Sequence, residues 1–189
     1  KNYSGKIRNG ILLDQDFDKP QAFHKEAVSR GGGLAAIISL SIFFTFYYFL
    51  FKIILFPYIF LTITVFLLGF IEDLKFRVNP NYRLIVMIFI LFFFVISFSV
   101  NIAAVDLVFL SSWMKNQIFA NIFVVLCFLF IINGANLVDG FNGLLTIHLL
   151  IINLVLLFIN LNNGNEDFAL IITAQIVVLA CFLLFNFPK

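Results

Sequence analysis

The sequence predicts an all-α fold, a polytopic transmembrane helix bundle with about six spans, and three observations carry that prediction. The 189 residues are 62% hydrophobic and 12% charged, whereas soluble globular domains carry roughly 25% charged residues. The apolar residues collect in six long uncharged stretches, each close to the ~20 residues that cross a ~30 Å hydrocarbon core as helix. Those stretches are continuous rather than alternating, so of the two structures that satisfy their backbone groups inside lipid they match helices and not barrel strands. With a mean hydropathy of +1.08, the chain has too few polar residues to build the shell a soluble core requires. Lipid is therefore the solvent for much of its surface. A formal charge of only +2 argues for neither a nucleic-acid partner nor a polyanion-binding surface as the main business of the chain.

In chain order, residues 1–33 read as a polar arm, followed by spans near 34–51, 53–71, 84–105, 117–134, 144–161 and 168–187 of one membrane domain, 34–189. Lys52 interrupts the first long run and Pro57 follows it, which fits two spans joined by a tight turn better than one very long helix. The 28 Phe follow no fixed period and are expected to face lipid and fill space between helices. Cys127 and Cys181 both lie within apolar runs, where they read as small buried hydrophobes rather than a disulfide or metal framework. His148 falls inside a span, where an interhelical hydrogen bond is expected. Asp106 falls at a boundary, where a solvated carboxylate is expected.

Six spans place the arm, the loop 72–83, the loop 135–143 and Lys189 on one side of the membrane. Of the 12 Lys and Arg, only Lys52 and Lys115 then fall on the other side. By the positive-inside rule the first side is cytoplasmic.

Four distinctive segments share that cytoplasmic side: FHKEAVSRGGGLA, GFIEDLKFRVNPNYRL, NGANLVDGFNGL and the terminal FNFPK. In the second, Glu72 and Asp73 close an apolar stretch beside Lys75 and Arg77. Adjacent carboxylates there suit either an interfacial stop signal or a divalent cation whose shell is completed by phosphate oxygens. In the third, Asn133, Asn136, Asp139 and Asn142 recur every three residues, with Gly134, Gly140 and Gly143 between them. Such spacing groups amide and carboxylate oxygens that can hold a sugar nucleotide or a metal, while glycines let the backbone come close. A plain polar turn is the alternative. In the first, Gly31, Gly32 and Gly33 follow Arg30 and precede the first span. They offer backbone N–H groups at a helix start to a phosphate, or else a flexible hinge; His24 and Lys25 lie in the same arm.

In this order the segments resemble the polyprenyl-phosphate N-acetylhexosamine-1-phosphate transferases, the membrane family that includes the phospho-MurNAc-pentapeptide translocase. The resemblance covers almost the whole chain and is carried by RGGGLA, GFIEDL and above all NGANLVDGFNGL. It looks closest to the branch that uses UDP-GlcNAc-like donors for lipopolysaccharide, teichoic acid or capsule. It implies a Mg²⁺-dependent enzyme, with Mn²⁺ as an alternative ion, that moves HexNAc-1-phosphate from a UDP-sugar to undecaprenyl phosphate and releases UMP. By similarity Asp73 contacts the metal–diphosphate or the acceptor phosphate. Asn136 and Asp139 would contact the nucleotide or metal, and Lys25 and Arg30 the phosphates. The catalytic set so implied is Glu72, Asp73 and Asp139, with Asp73 and Asp139 as metal ligands. The substrate-binding set is Lys25, Arg30, Gly32, Gly33, Asn136 and Asn142. Glu72 stands at the first place of what is an Asp pair in many members, and Asn142 where many relatives have Asp. The implied partners are the UDP-N-acetylhexosamine, the polyprenyl phosphate and the lipid bilayer, with a homodimer left open. The implied location is the bacterial inner membrane, with the site on its cytoplasmic face.

In this family a segment like FNFP is followed by a glycine-flanked Asp, further helices and a basic loop, and an opening membrane helix precedes the arm. The 189 residues are therefore expected to be a truncated part of a larger catalytic domain, inactive alone. The competing expectation is a transporter or lipid-scaffold subunit whose polar loops bind rather than react. A CDP-alcohol phosphotransferase would need a dense Asp signature that this sequence lacks.

Overall fold

The computed structural model describes residues 13–14, 28–29, 31–74, 79–102, 105–138 and 143–186. Two short strands, β1 (Leu13–Asp14) and β2 (Val28–Ser29), pair antiparallel in the arm, Leu13 opposite Ser29 and Asp14 opposite Val28. Among the described residues seven helices follow: α1 (Gly32–Phe51), α2 (Phe56–Asp73), α3 (Pro80–Ser97), α4 (Val108–Trp113), α5 (Gln117–Val138), α6 (Leu144–Asn162) and α7 (Glu166–Asn186). Five of them, α1, α3, α5, α6 and α7, are long and apolar enough to cross a membrane, and the apolar part of α2, Phe56–Ile71, is shorter. The polytopic helical bundle expected from the sequence is thus present. The charged residues of the long helices stand only in terminal turns: Glu72 and Asp73 end α2, Arg83 lies in the first turn of α3, and Glu166 and Asp167 open α7.

Several helix ends differ from those expected, and local polar chemistry explains them. α3 starts at Pro80 instead of 84 because Asn79 caps it, its side chain accepting a hydrogen bond from the Asn81 N–H at 3.1 Å, with Pro80 in the first helical position. α3 also stops at Ser97, well short of 105. Ser99 takes a positive φ of 49°, while the Ser99 and Val100 N–H groups donate to the carbonyls of Ile96 and Val95. That is a Schellman ending. α4 lies in a stretch expected to be loop, with its Trp113 ring edge-on to Phe119 at 5.5 Å.

The chain divides into two compact units, residues 1–55 with 136–189, and residues 56–135. The second unit is built on aromatic and aliphatic packing. Met87, Leu91, Phe94 and Val95 of α3 meet Val124 and Val125 of α5, with Phe60 and Leu68 of α2 packed against them. Phe60 stacks on Phe94 with ring centroids 6.3 Å apart, and Phe56 meets Phe98 at 5.9 Å. α2 and α3 therefore run antiparallel, and the acidic end of α2 stands at the same end of the unit as the start of α3. Phe94 also meets Phe128 edge-on at 6.0 Å, and Gln117 of α5 reaches Asn101, just beyond α3, at 3.5 Å. α5 is thus antiparallel to α3 and brings Asn133 to the end that carries Glu72 and Asp73.

In the first unit α6 turns through Asn163–Asn165 directly into α7. The two form an antiparallel hairpin, against which α1 packs along α7. Tyr47 near the end of α1 bonds Asp167 at the start of α7, and Gly32 at the start of α1 lies against Phe182 near the end of α7. The starts of α1 and α6 and the end of α7 therefore share one end of this unit.

Candidate active site

Each unit gathers at one end the segments singled out in the sequence. In the unit 56–135 these are the end of α2, with Glu72 and Asp73, and the last turns of α5. In the other unit they are the Gly31–Gly33 start of α1, the Gly143 start of α6 and the end of α7 that leads into FNFPK. α5 is the element that continues from one unit into the other, passing the boundary between Ala135 and Asn136. Lys25, Arg30, Asp139 and Asn142 lie outside the described residues, as do the side chains of Glu72 and Asp73.

A span at 117–134 would leave a loop from 135, yet α5 continues to Val138. Asn133 lies within that helix, its amide donating to the Leu129 carbonyl at 2.8 Å. Asn136, one turn on, is exposed, leaving it as the described amide of this segment that faces outward. Gly143 then caps α6 with φ 79°, a left-handed conformation that glycine adopts without a Cβ clash. This is where the glycine spacing of the motif has a geometric cause.

Gly31 is the N-cap of α1 with helical φ −75° and ψ −6°, and Gly32 and Gly33 form its first turn. These two glycines are helical, which sets their N–H groups at the helix start. A Cβ added at Gly32 would run into the Phe182 ring, so the missing side chain lets α7 approach closely. First-turn N–H groups have no carbonyl within their own helix, and those of Gly32 and Gly33 remain suited to an anion that comes from the arm side.

Polar side chains inside the spans are mostly occupied with their own helices. Ser39, Ser41 and Thr45 of α1, Asn153 and Asn160 of α6 and Thr173 of α7 each donate to the carbonyl four residues earlier. His148 likewise bonds the Leu144 carbonyl at 3.1 Å and is exposed, so its bond is within its own helix rather than between helices. Cys127 is half-buried and Cys181 exposed on α7, against the expectation that both are buried; neither is in a disulfide. Among the described residues no three His, Cys, Asp or Glu side chains group to hold a metal.

Sequence reasoning missed the Tyr47–Asp167 bond, in which the phenol donates to the carboxylate at 2.6 Å. The partners are 120 residues apart, and no local pattern signals such a pair. It also missed the Asn79 cap, although the Asn-Pro dipeptide was a usable signal.

A family model described as glycosyl transferase family 4 matches residues 55–189. The match takes in α2 through α7, and with them both the acidic end of α2 and the Asn/Asp segment, while the arm and α1 lie before it. No curated protein and no solved structure matches the chain.

Proposed function

We propose, for a chain that belongs to glycosyl transferase family 4 and is thereby a membrane transferase of the polyprenyl-phosphate sugar-1-phosphate class, that the donor is a UDP-N-acetylhexosamine, GlcNAc above all, and the acceptor undecaprenyl phosphate. The observation that carries this reading is the family match over 55–189, which spans both acidic segments. The gathering of motif-bearing helix ends within each unit supports it. A lipid-tailed acceptor calls for a site at the bilayer surface, and the long helices of this chain keep their charged residues in their terminal turns.

In the proposed reaction an oxygen of the acceptor phosphate attacks the sugar-bearing phosphorus of the donor. A new P–O bond forms, the bond from that phosphorus to the bridging oxygen breaks, and UMP leaves with the electron pair. Such a transfer needs in-line positioning and neutralisation of negative charge more than covalent help from the protein. Lys25 and Arg30, with the Gly32 and Gly33 N–H groups, hold the donor phosphates, and Asn136 and Asn142 hold the nucleotide. Glu72 acts as base or further ligand. Asp73 and Asp139 supply hard carboxylate oxygens, a donor set that fits Mg²⁺ or Mn²⁺ in company with phosphate oxygens. When bound, the cation neutralises charge on the diphosphate. The proposed product starts a cell-envelope polysaccharide such as lipopolysaccharide, made at the cytoplasmic face of the bacterial inner membrane.

The test is transfer of label from a UDP-sugar, radiolabelled in its sugar phosphate, into lipid by the full-length protein with Mg²⁺ and undecaprenyl phosphate. Labelled lipid and UMP should appear together. Asp73→Asn and Asp139→Asn should each lower the rate by about 100-fold or more, the order expected when one charge-stabilising contact is lost. Absence of labelled lipid with every UDP-HexNAc donor, or full activity in both variants, defeats the reading.

A further inference from the structure

We propose that Tyr47 and Asp167, at the opposite end of their helices from the candidate site, are positioning residues that set the axial register of α1 against α7 and so fix where the Gly31–Gly33 start of α1 stands. The proposal rests on the transferase reading for its functional consequence, and on two contacts for its geometry.

The first contact is the 2.6 Å bond from the Tyr47 hydroxyl to the Asp167 carboxylate. Tyr47 is 2% exposed and is the single buried residue of α1. Asp167 lies in the first turn of α7, where the helix dipole favours a carboxylate. The second contact is the seat of the Phe182 ring on Gly32. Tyr47 and Gly32 are fifteen residues apart on α1, and Phe182 and Asp167 are fifteen apart on α7. One antiparallel register therefore satisfies both contacts, over about 22 Å at 1.5 Å per residue.

These two contacts differ in kind from what lies between them on the seam: Ala36, Leu40 and Phe43, on the Tyr47 face of α1, are half-buried and apolar, while Ile38, Ile42, Phe46, Phe49 and Leu50 are exposed. In lipid, apolar surface supplies no force that favours one helix register over another, so polar bonds and close small-residue contacts decide it. A charge-assisted bond between a buried phenol and a carboxylate is among the stronger of these. Without it, α1 can slip or turn along α7, and the shift appears at the other end of a rigid helix. A misplacement of about 1 Å at reacting groups can cost about 100-fold in rate.

The experiment has two readouts in the full-length protein in proteoliposomes. For register, Cys127→Ser and Cys181→Ser remove the native thiols, and a Gly32→Cys, Phe182→Cys pair is joined by a short bifunctional reagent. Cross-linking should fall at least about three-fold when Tyr47→Phe or Asp167→Ala is added, and persist with Asp167→Asn, which keeps an acceptor oxygen. For function, with the native residues at 32 and 182, Tyr47→Phe and Asp167→Ala should each raise the KM for the UDP-sugar about ten-fold, since the displaced arm holds its phosphates. A change of this size corresponds to one charge-assisted bond. Asp167→Asn should restore the KM. Simple loss of folded protein would lower the maximal rate and leave the KM unchanged. Unchanged cross-linking and unchanged KM in an active protein overturn the proposal. An inactive parent whose cross-linking still depends on Tyr47 overturns the transferase reading and the positioning role with it, leaving the register standing.

Discussion

Leu91 and Phe89 share α3 and differ in what surrounds them, with Leu91 0% exposed in the unit 56–135 and Phe89 72% exposed. Truncating each to Ala separates lipid from water as the solvent of this fold. In a water-soluble core, Leu→Ala costs about 2.7–5.0 kcal/mol, a transfer part plus a cavity part. The transfer part is about 2.4 kcal/mol for the three carbons removed, at ~0.8 kcal/mol each. In a bilayer the separated helix presents Leu91 to lipid tails as apolar as the core, so the transfer part cancels and the packing part remains. Subtraction leaves about 0.3–2.6 kcal/mol, and the tight cluster of Phe94, Val95, Val124 and Val125 around Leu91 argues for the middle of that range, about 1.5 kcal/mol. Phe89→Ala moves a ring from lipid to lipid and should cost less than about 0.5 kcal/mol. Reversible unfolding in mixed micelles, followed by helical circular dichroism, measures both. A Leu91→Ala loss above about 4 kcal/mol would mean the transfer part survives, so that the unfolded segment meets water. Equal losses at the two positions would refute the inward and outward faces of α3.

Two further outcomes test smaller parts of the structure. Asn79→Ala should destabilise by about 1 kcal/mol through loss of the α3 cap, and Asn79→Asp should retain it, in the same unfolding assay; no difference between the two would remove the cap. In native membranes a charged, impermeant thiol reagent should label neither Cys127 nor Cys181, whereas an apolar maleimide should label the exposed Cys181 faster than the half-buried Cys127. Rapid labelling of Cys181 by the charged reagent would place that face of α7 in water.

The bundle was legible because lipid leaves the backbone few options, so length and hydropathy alone identify where helices must be. Helix ends obey other physics. α6 ends at Gly164 with φ 70°, a glycine stop that sequence displays openly. α3 ends with Ser99 in the same left-handed region, and no hydropathy profile separates that stop from the apolar residues beyond it. α5 runs on past 134 to Val138 and takes in Asn133 and Asn136, whose three-residue spacing suits a helical face as well as a polar turn. The same chemistry that makes Asn and Asp useful to a ligand lets them cap, extend or end a helix.

That double use explains why the candidate site was readable as motifs but not as geometry. Glu72, Asp73, Asn136 and the glycines of α1 announce themselves by spacing within a dozen residues, because each group must work from one short stretch of chain. The contacts that align those stretches join residues far apart. Tyr47 meets Asp167 and Gly32 meets Phe182, and each partner alone looks like an ordinary interfacial aromatic, acid or glycine. In an apolar bundle without charge in the middle of its spans, register cannot be inferred from hydrophobicity, since sliding one lipid-facing helix past another exposes nothing to water. It has to be carried by a few polar or close contacts, and a polar residue at a helix end away from the chemistry is therefore a candidate for alignment before it is a candidate for catalysis.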